Sequence, residues 1–239
     1  VAAAVDSAAR KNFHGDMKAA PILMVAIALL AASPLPAQTN AAAGVEKHIR
    51  PVLAALLLKD ATKEDAVREI LAAQFAALHA WHATNDAAIK ALWNDFNRAR
   101  SAQNVTNANA ALEKIAGVYA TFRPQHEKFL AGLGHELSPA QVETVKDALT
   151  VNKVKVTYDV YLQIFPSLTA AQKDIVLQDL KAAREEAVDC EAMTEKSAFF
   201  KKYKIKIEDE YLTAQGYDPK QARKDFAARQ KTKSSAEEK

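Results

Sequence analysis

The most constraining stretch of this chain runs from Thr62 to about Arg100. Val67, Leu71, Leu78, Ile89, Leu92 and Phe96 recur along it at helical spacing. About 38 residues at 1.5 Å each make a helix nearly 60 Å long, more than most globular helices reach. A kink near Thr84-Asn85 would shorten it. Thr62 suits the start, because its hydroxyl can accept from open backbone N–H groups. Glu64 and Asp65 then favour the positive end of the helix dipole. A chain with such an element has to build its core around it, from parts that pack on a helix.

Those parts read as helices too. Only six glycines occur in 239 residues. Val45–Leu58 forms a first helix, with Pro51 at an early turn or a kink. Asn104–Ala110 is rich in Asn and Ala and reads as a turn. A following helix carries Leu112, Ile115, Tyr119, Phe122, Phe129 and Leu133, bends or is interrupted at Pro124 and stops at Gly132 and Gly134. Ser138-Pro139-Ala140-Gln141 is a helix start: serine caps, proline fits the first turn, and glutamine reaches back to the capping amide. Thr169-Ala170-Ala171-Gln172 repeats that logic, as does Asp218-Pro219-Lys220-Gln221 after Gly216. Val151–Val156 alternates as a strand would, yet Val154, Tyr158, Tyr161, Leu162 and Phe165 share a helical face and no partner strand lies nearby. The expected fold is all-α: a single-domain helical bundle of about six to eight helices over 45–230, with one long helix near 62–100. The tail 231–239 is charged and poor in apolar residues, which predicts disorder.

Met17-Lys18 precedes an apolar run of twelve residues, Pro21 to Ala32, and then Ser33-Pro34-Leu35-Pro36-Ala37-Gln38. This is the pattern of a signal peptide over 17–37, with 1–16 as an upstream segment. Twelve residues are too few for a bilayer span, which needs about 20. Export to the periplasm or the extracellular space is the expected destination. The mature chain of about 200 residues suits one domain with a real core. A net charge of +3 is no footprint for nucleic acid. Cys190 is the sole cysteine, so no internal disulfide forms, and none follows the apolar run to carry a lipid. The pattern does not set an oligomeric state.

Four groups of residues carry potential chemistry. His79, His82 and Asp86 are spaced by three and four, on one side of the long helix. Such a set can bind a transition metal or supply a general base oriented by its carboxylate, and a half-buried histidine bonded to Asp86 explains the same spacing. Neither a zinc-protease pattern nor paired cysteines accompany them, so no metal and no cofactor are expected. Arg184 lies near the apolar side of its helix while Glu185 and Asp189 point away, so it needs a carboxylate partner such as Asp86 or Asp159, or a bound uronate. Lys155, Tyr158 and Tyr161 can face one cleft, where a tyrosine with a basic neighbour abstracts a proton beside a uronate carboxylate. The two tyrosines also fit as core aromatics with surface hydroxyls. Phe199, Phe200, Tyr203, Ile207 and Tyr211 form an aromatic stripe among lysines, suited to gripping an acidic glycan or to an ordinary amphipathic helix.

Two resemblances add to this. The Leu-(Ser/Thr)-x-x-Gln boxes at 137–141 and 168–172 resemble the repeated signature of periplasmic helical stress chaperones and metal-response proteins. More broadly, Gln74, Leu78, His82, Asp86 and Ile89 of the long helix belong to a longer set. It continues with Asn152-Lys153-Val154, Thr157-Tyr158, Tyr161-Leu162, Pro166, Leu168-Thr169 and Gln172-Lys173. Ala183-Arg184-Glu185, Lys202-Tyr203-Lys204, Ile207, Tyr211-Leu212 and Gly216-Tyr217-Asp218 complete it. Together these resemble a family of exported helical proteins of unknown function from Bacteroidota, Planctomycetota and Verrucomicrobiota, often encoded beside polysaccharide-degrading enzymes. Ala83 and Asn85 depart from that family, which usually has an acid and a base there.

The resemblance implies an exported protein that binds or processes acidic or plant polysaccharide. In the expected cleft, His82, Tyr158 and Arg184 are the candidate catalytic residues, and Asp86, Lys155 and Tyr161 the substrate-binding ones. The alternative is a periplasmic chaperone or metal-stress protein without enzymatic activity.

Overall fold

α1 (Pro36–Leu56) leads into α2 (Ala61–Ser101), and the residue that starts the long helix is Asp60, not Thr62. The Asp60 carboxylate accepts from the backbone N–H of Thr62 at 2.9 Å and of Lys63 at 3.2 Å. The computed structural model describes residues 36–237, with side chains from 44 to 232. The predicted upstream segment 1–16 and all of the predicted leader except Pro36 and Ala37 lie outside the described residues. From Asp60, α2 runs unbroken for 41 residues, about 60 Å at 1.5 Å per residue.

Nine α-helices follow one another among the described residues, and no strand is present. The chain continues through α3 (Val105–Ala120), α4 (Arg123–Glu136), α5 (Pro139–Leu149), α6 (Lys153–Ile164) and α7 (Ala170–Ala187). α8 (Met193–Ile205) passes into a π-helical stretch, Lys206–Leu212, before α9 (Pro219–Glu237). Expectation and structure differ at several boundaries. The Asn/Ala segment is not a turn: Asn104 caps α3 by accepting from the Asn107 N–H, and Ala108 and Ala111 pack against the second half of α2. Of the two outcomes expected at Pro124, the interruption is the one found: α3 ends at Ala120 and the proline sits in the first turn of α4. Gly132 and Gly134 lie inside α4, which ends at Glu136. The chain beyond Lys231, expected to be irregular, continues α9 to Glu237. Ser138 and Thr169 form reciprocal capping boxes with Gln141 and Gln172, as their spacing implied.

The helices enclose two apolar groups. Ile49, Val52, Leu53 and Leu56 of α1 meet Val67 and Leu71 of α2, Phe129 and Leu133 of α4, and Val145 of α5. The larger group joins Ile89, Trp93 and Phe96 of α2 to α3, α6, α7 and α8, with Ile207 and Leu212 of the π-helical stretch. One helix therefore serves both groups, through Val67 and Leu71 toward one end and Ile89, Trp93 and Phe96 toward the other. Its middle third lies at the seam, with Phe75 against the first group and Trp81 against the second. Gln74 and His82 are buried in that third, beside Leu78. No helix among the described residues is long and apolar enough to cross a membrane.

The stretch 151–156 that alternates as a strand would is the joint between α5 and α6 and the first turn of α6. Val151 and Asn152 both adopt left-handed conformations, at φ 48° and 54°, and α6 begins directly after them. Left-handed backbone is costly for a β-branched residue and easy for glycine. Val151 is 55% exposed, so its side chain adds little in return. Val151→Gly is expected to raise stability by about 1 kcal/mol, read from the urea midpoint at unchanged slope.

A candidate polar site at the seam of the two cores

His82 falls on the buried stripe of α2, and its side chain is 1% exposed. A buried imidazole needs a partner at each nitrogen. Asp86, one turn on, places Oδ1 2.6 Å from His82 Nδ1. The other partners come from the turn between α7 and α8. His82 Nε2 lies 3.1 Å from the Asp189 carbonyl oxygen and 3.3 Å from the Glu191 amide nitrogen. With Nε2–H donated to Asp189, Nδ1 is left bare toward the carboxylates. With Nδ1–H donated to Asp86, Nε2 accepts from Glu191. Glu195, in the first turn of α8, brings Oε2 to 3.9 Å from Nδ1. Its carboxylate also accepts from the Ala192 N–H at 3.4 Å. Trp81 and Tyr119 hold the imidazole from the sides, with ring centroids 4.9 and 6.4 Å away.

Further polar groups surround this centre. His126 of α4 sits 2.9 Å from Asp189 Oδ2, and Gln74 donates to Asp189 at 3.4 Å. The hydrogen bond to Asp189 raises the His126 pKa above its ordinary value, against burial, which lowers it. His79 pairs with Glu191 at 2.9 Å on the exposed rim. Tyr119 Oη lies 3.6 Å from Cys190 Sγ. Burial pushes the Cys190 thiol well above its ordinary value, so it is an inert packed group. Burial likewise raises the Glu195 carboxyl and lowers Lys196, whose ammonium donates to the Leu149 carbonyl.

The other expected site residues fall into separate groups. Arg184, 2% exposed, does not reach Asp86, Asp159 or a surface groove. It donates to Asp147 at 2.7 Å, to Glu185 at 3.0 Å and to Glu143. Burial alone would lower its pKa, and these three hydrogen bonds together raise it. Lys146 joins the cluster through Glu185 and Glu143. Lys155 is exposed and pairs with Asp159 at 2.6 Å, one turn along α6. Tyr158 is half-buried against the larger apolar group. Tyr161 is 1% exposed, so its ring is core, and its hydroxyl donates to Glu208 at 2.5 Å rather than reaching the surface. Arg223 holds Glu208 from the other side. His82 and Asp86 are thus brought together, while Arg184, Lys155 and Tyr161 each answer to other partners. The aromatic stripe faces inward: Phe199 and Phe200 are core, and Lys202 folds back onto Glu186.

Glu185 and Asp189 were expected to point to solvent, and both are network members. The reason for Asp189 is geometric. α7 ends at Ala187, so a helical wheel extended to 189 no longer describes the chain. Glu195 was missed, although it sits four residues before Phe199 and hence on the inner face of α8. Trp81, next in sequence to His82, was missed as well. Its Nε1–H donates to Thr121 at 2.9 Å, which leaves the ring half-buried beside the site.

The arrangement can do three things chemically. It can hydrogen-bond a polyhydroxylated ligand through Asp86, Glu191 and His79. It can present an oriented imidazole as a base. It can offer His82, Asp86 and Glu195 as donors to a cation. Residues 43–232 match the family described as "Protein of unknown function (DUF3826)", and the chain belongs to that family. No curated protein matches the chain.

Two outcomes follow from the charged groups. Arg184→Ala leaves Asp147 without its cation and Glu143 and Glu185 with Lys146 alone. It should cost about 3 kcal/mol, the low end for a broken buried pair, because those carboxylates keep access to water. Chemical denaturation reads this directly. For His126, the folded-state pKa lies above the unfolded one, so its contribution is complete below about pH 6.5 and is lost as pH rises through the raised value. Asp189 and Glu185 favour its charged form and Lys146 opposes it. Stability measured between about pH 6 and 9 should fall less steeply in His126→Gln than in the parent.

Proposed function

We propose that this DUF3826 protein is exported and binds polysaccharide at the polar seam on α2, around His82. The observation that carries the reading is the seating of His82, Asp86 and Glu195 beside the half-buried ring of Trp81. Sugars present hydroxyls at their edges and C–H groups on their faces. Carboxylates with an imidazole match the first, and an aromatic ring matches the second. Asp86 and His79 have side chains 61% and 76% exposed, which leaves them open to a ligand from solvent. The apolar run at Pro21–Ala32 supports export.

The negative charge of Asp86, Glu191 and Glu195 favours a neutral plant glycan over a uronate for direct contact. Binding is the activity this supports. A proton-abstracting role for Tyr158 with Lys155 gains nothing from the structure, since Lys155 is turned to Asp159. The chaperone alternative calls for a continuous apolar concavity. Most exposed large apolar side chains stand apart, as at Leu57, Val105, Ile175 and Met193, and the one adjacent pair, Val156 and Val160 on α6, lines only a small hollow with Lys204 and Arg223.

A thermal-shift panel of neutral plant, pectic and alginate-type oligosaccharides tests the reading. A ligand at a hundred times its Kd stabilises by about 2.7 kcal/mol, or roughly 5–10 °C for a domain of this size. A shift of that order is expected with at least one neutral glycan, and its loss in Trp81→Ala and in Asp86→Asn. No shift with any glycan, or a shift that both variants keep, would sink the proposal.

A further inference from the structure

We propose that His82, Asp86 and Glu195 form a binding site for one divalent first-row transition-metal ion, with zinc the natural probe. The argument begins with convergence. One donor atom from each residue lies within 4.8 Å of the other two. His82 Nδ1 is 2.6 Å from Asp86 Oδ1 and 3.9 Å from Glu195 Oε2. Donors at about 2.0–2.2 Å from a tetrahedral ion stand about 3.3 Å from one another. Against that spacing Asp86 has to withdraw by about 0.7 Å and Glu195 to advance by about 0.6 Å. Asp86, with a side chain 61% exposed, is free to do so.

The second observation concerns the far side of the ring. A metal-bound histidine ordinarily gives its other N–H to a carbonyl or carboxylate, which sets the tautomer and aims the lone pair. His82 Nε2 lies 3.1 Å from the Asp189 carbonyl oxygen. That carbonyl can take the proton on Nε2 when a metal claims Nδ1, and in the metal-free protein the alternative is open, with Nδ1–H donated to Asp86 and Nε2 accepting from Glu191. Three lone-pair-bearing atoms aimed at one point are stable around a positive charge. Trp81 and Tyr119 pack against the ring, so its direction is set in advance.

The donor set is mixed in a way that selects the ion. One imidazole with two carboxylates suits zinc, manganese or iron(II). The imidazole disfavours calcium and magnesium, which take oxygen. Three protein ligands leave a further position for water or a sugar oxygen, reached past Asp86. The set is not the one suggested by spacing along α2. His79 turns to Glu191 on the rim, and Glu195 arrives from α8 in its place.

The test uses the full chain, stripped with a chelator and returned to zinc chloride without any sugar, so its outcome is independent of the glycan reading. Metal content is read by mass spectrometry and affinity by competition with a chelating dye. One zinc per chain is expected. Asp86→Asn and Glu195→Gln should each weaken it by at least about ten-fold, the loss seen even for outer-shell changes. Asp86→Asn keeps an amide that can still hydrogen-bond His82 Nδ1, and the metal-free melting temperature of each variant, read beside its zinc affinity, separates lost affinity from lost fold. His79→Ala should bind zinc as the parent does. Substoichiometric zinc in the parent overturns the proposal and points to a proton as the charge between the three groups. Unchanged affinity in both carboxylate variants overturns it as well.

Discussion

A buried imidazole must be satisfied at both nitrogens, and here that requirement ties the middle of the longest helix to a turn more than a hundred residues away. The rest of the architecture is arranged about this bond. α2 cannot be buried along its whole length in one apolar group, because the helices that flank it form two. Gln74 and His82 occupy the interval between them. Asp189 meets both, through its carboxylate and its backbone carbonyl respectively. The turn after α7 is thereby positioned, and with it Glu191 and the start of α8. A polar interval between two cores is costly unless every member is paired. Gln74 Oε1 is the one buried polar side-chain atom of the interval without a partner among the described residues, and the pairing of the rest makes the interval a defined place for a ligand.

The Arg184 cluster does related work one step away. It binds α7 to α5 through Glu143 and Asp147, and Lys146 answers the surplus of carboxylate. Glu185 belongs to this cluster and also favours the charged form of His126. The two polar groups are therefore electrically continuous, although they use different residues. This arginine is structural: its hydrogen bonds go to the protein's own acids, and a ligand would have to displace them.

Much of the helical framework was legible in the chain. The capping boxes at Ser138 and Thr169 are local chemistry, complete within four residues, and they formed as their spacing implied. Gly216 supplied the positive φ that ends the helical run before α9. The errors were of one kind. Gly132 and the Asn104–Ala110 segment were read as breaks from residue type alone. Packing against α2 holds α3 and α4 helical where intrinsic preference is weak. Asp60 was overlooked as a cap because Thr62 offers the same chemistry two residues later.

At the site, the sequence determined His82 and Asp86, since a spacing of four on one helix brings side chains together whatever the fold. It also determined that Arg184 would be buried and require acids. The tertiary structure decided which acids. Glu143, Asp147 and Glu195 come from other helices, and Asp189 lies just past the end of its own. No periodicity reports such contacts. They depend on where α7 stops and how the chain turns into α8, and long-range packing sets both.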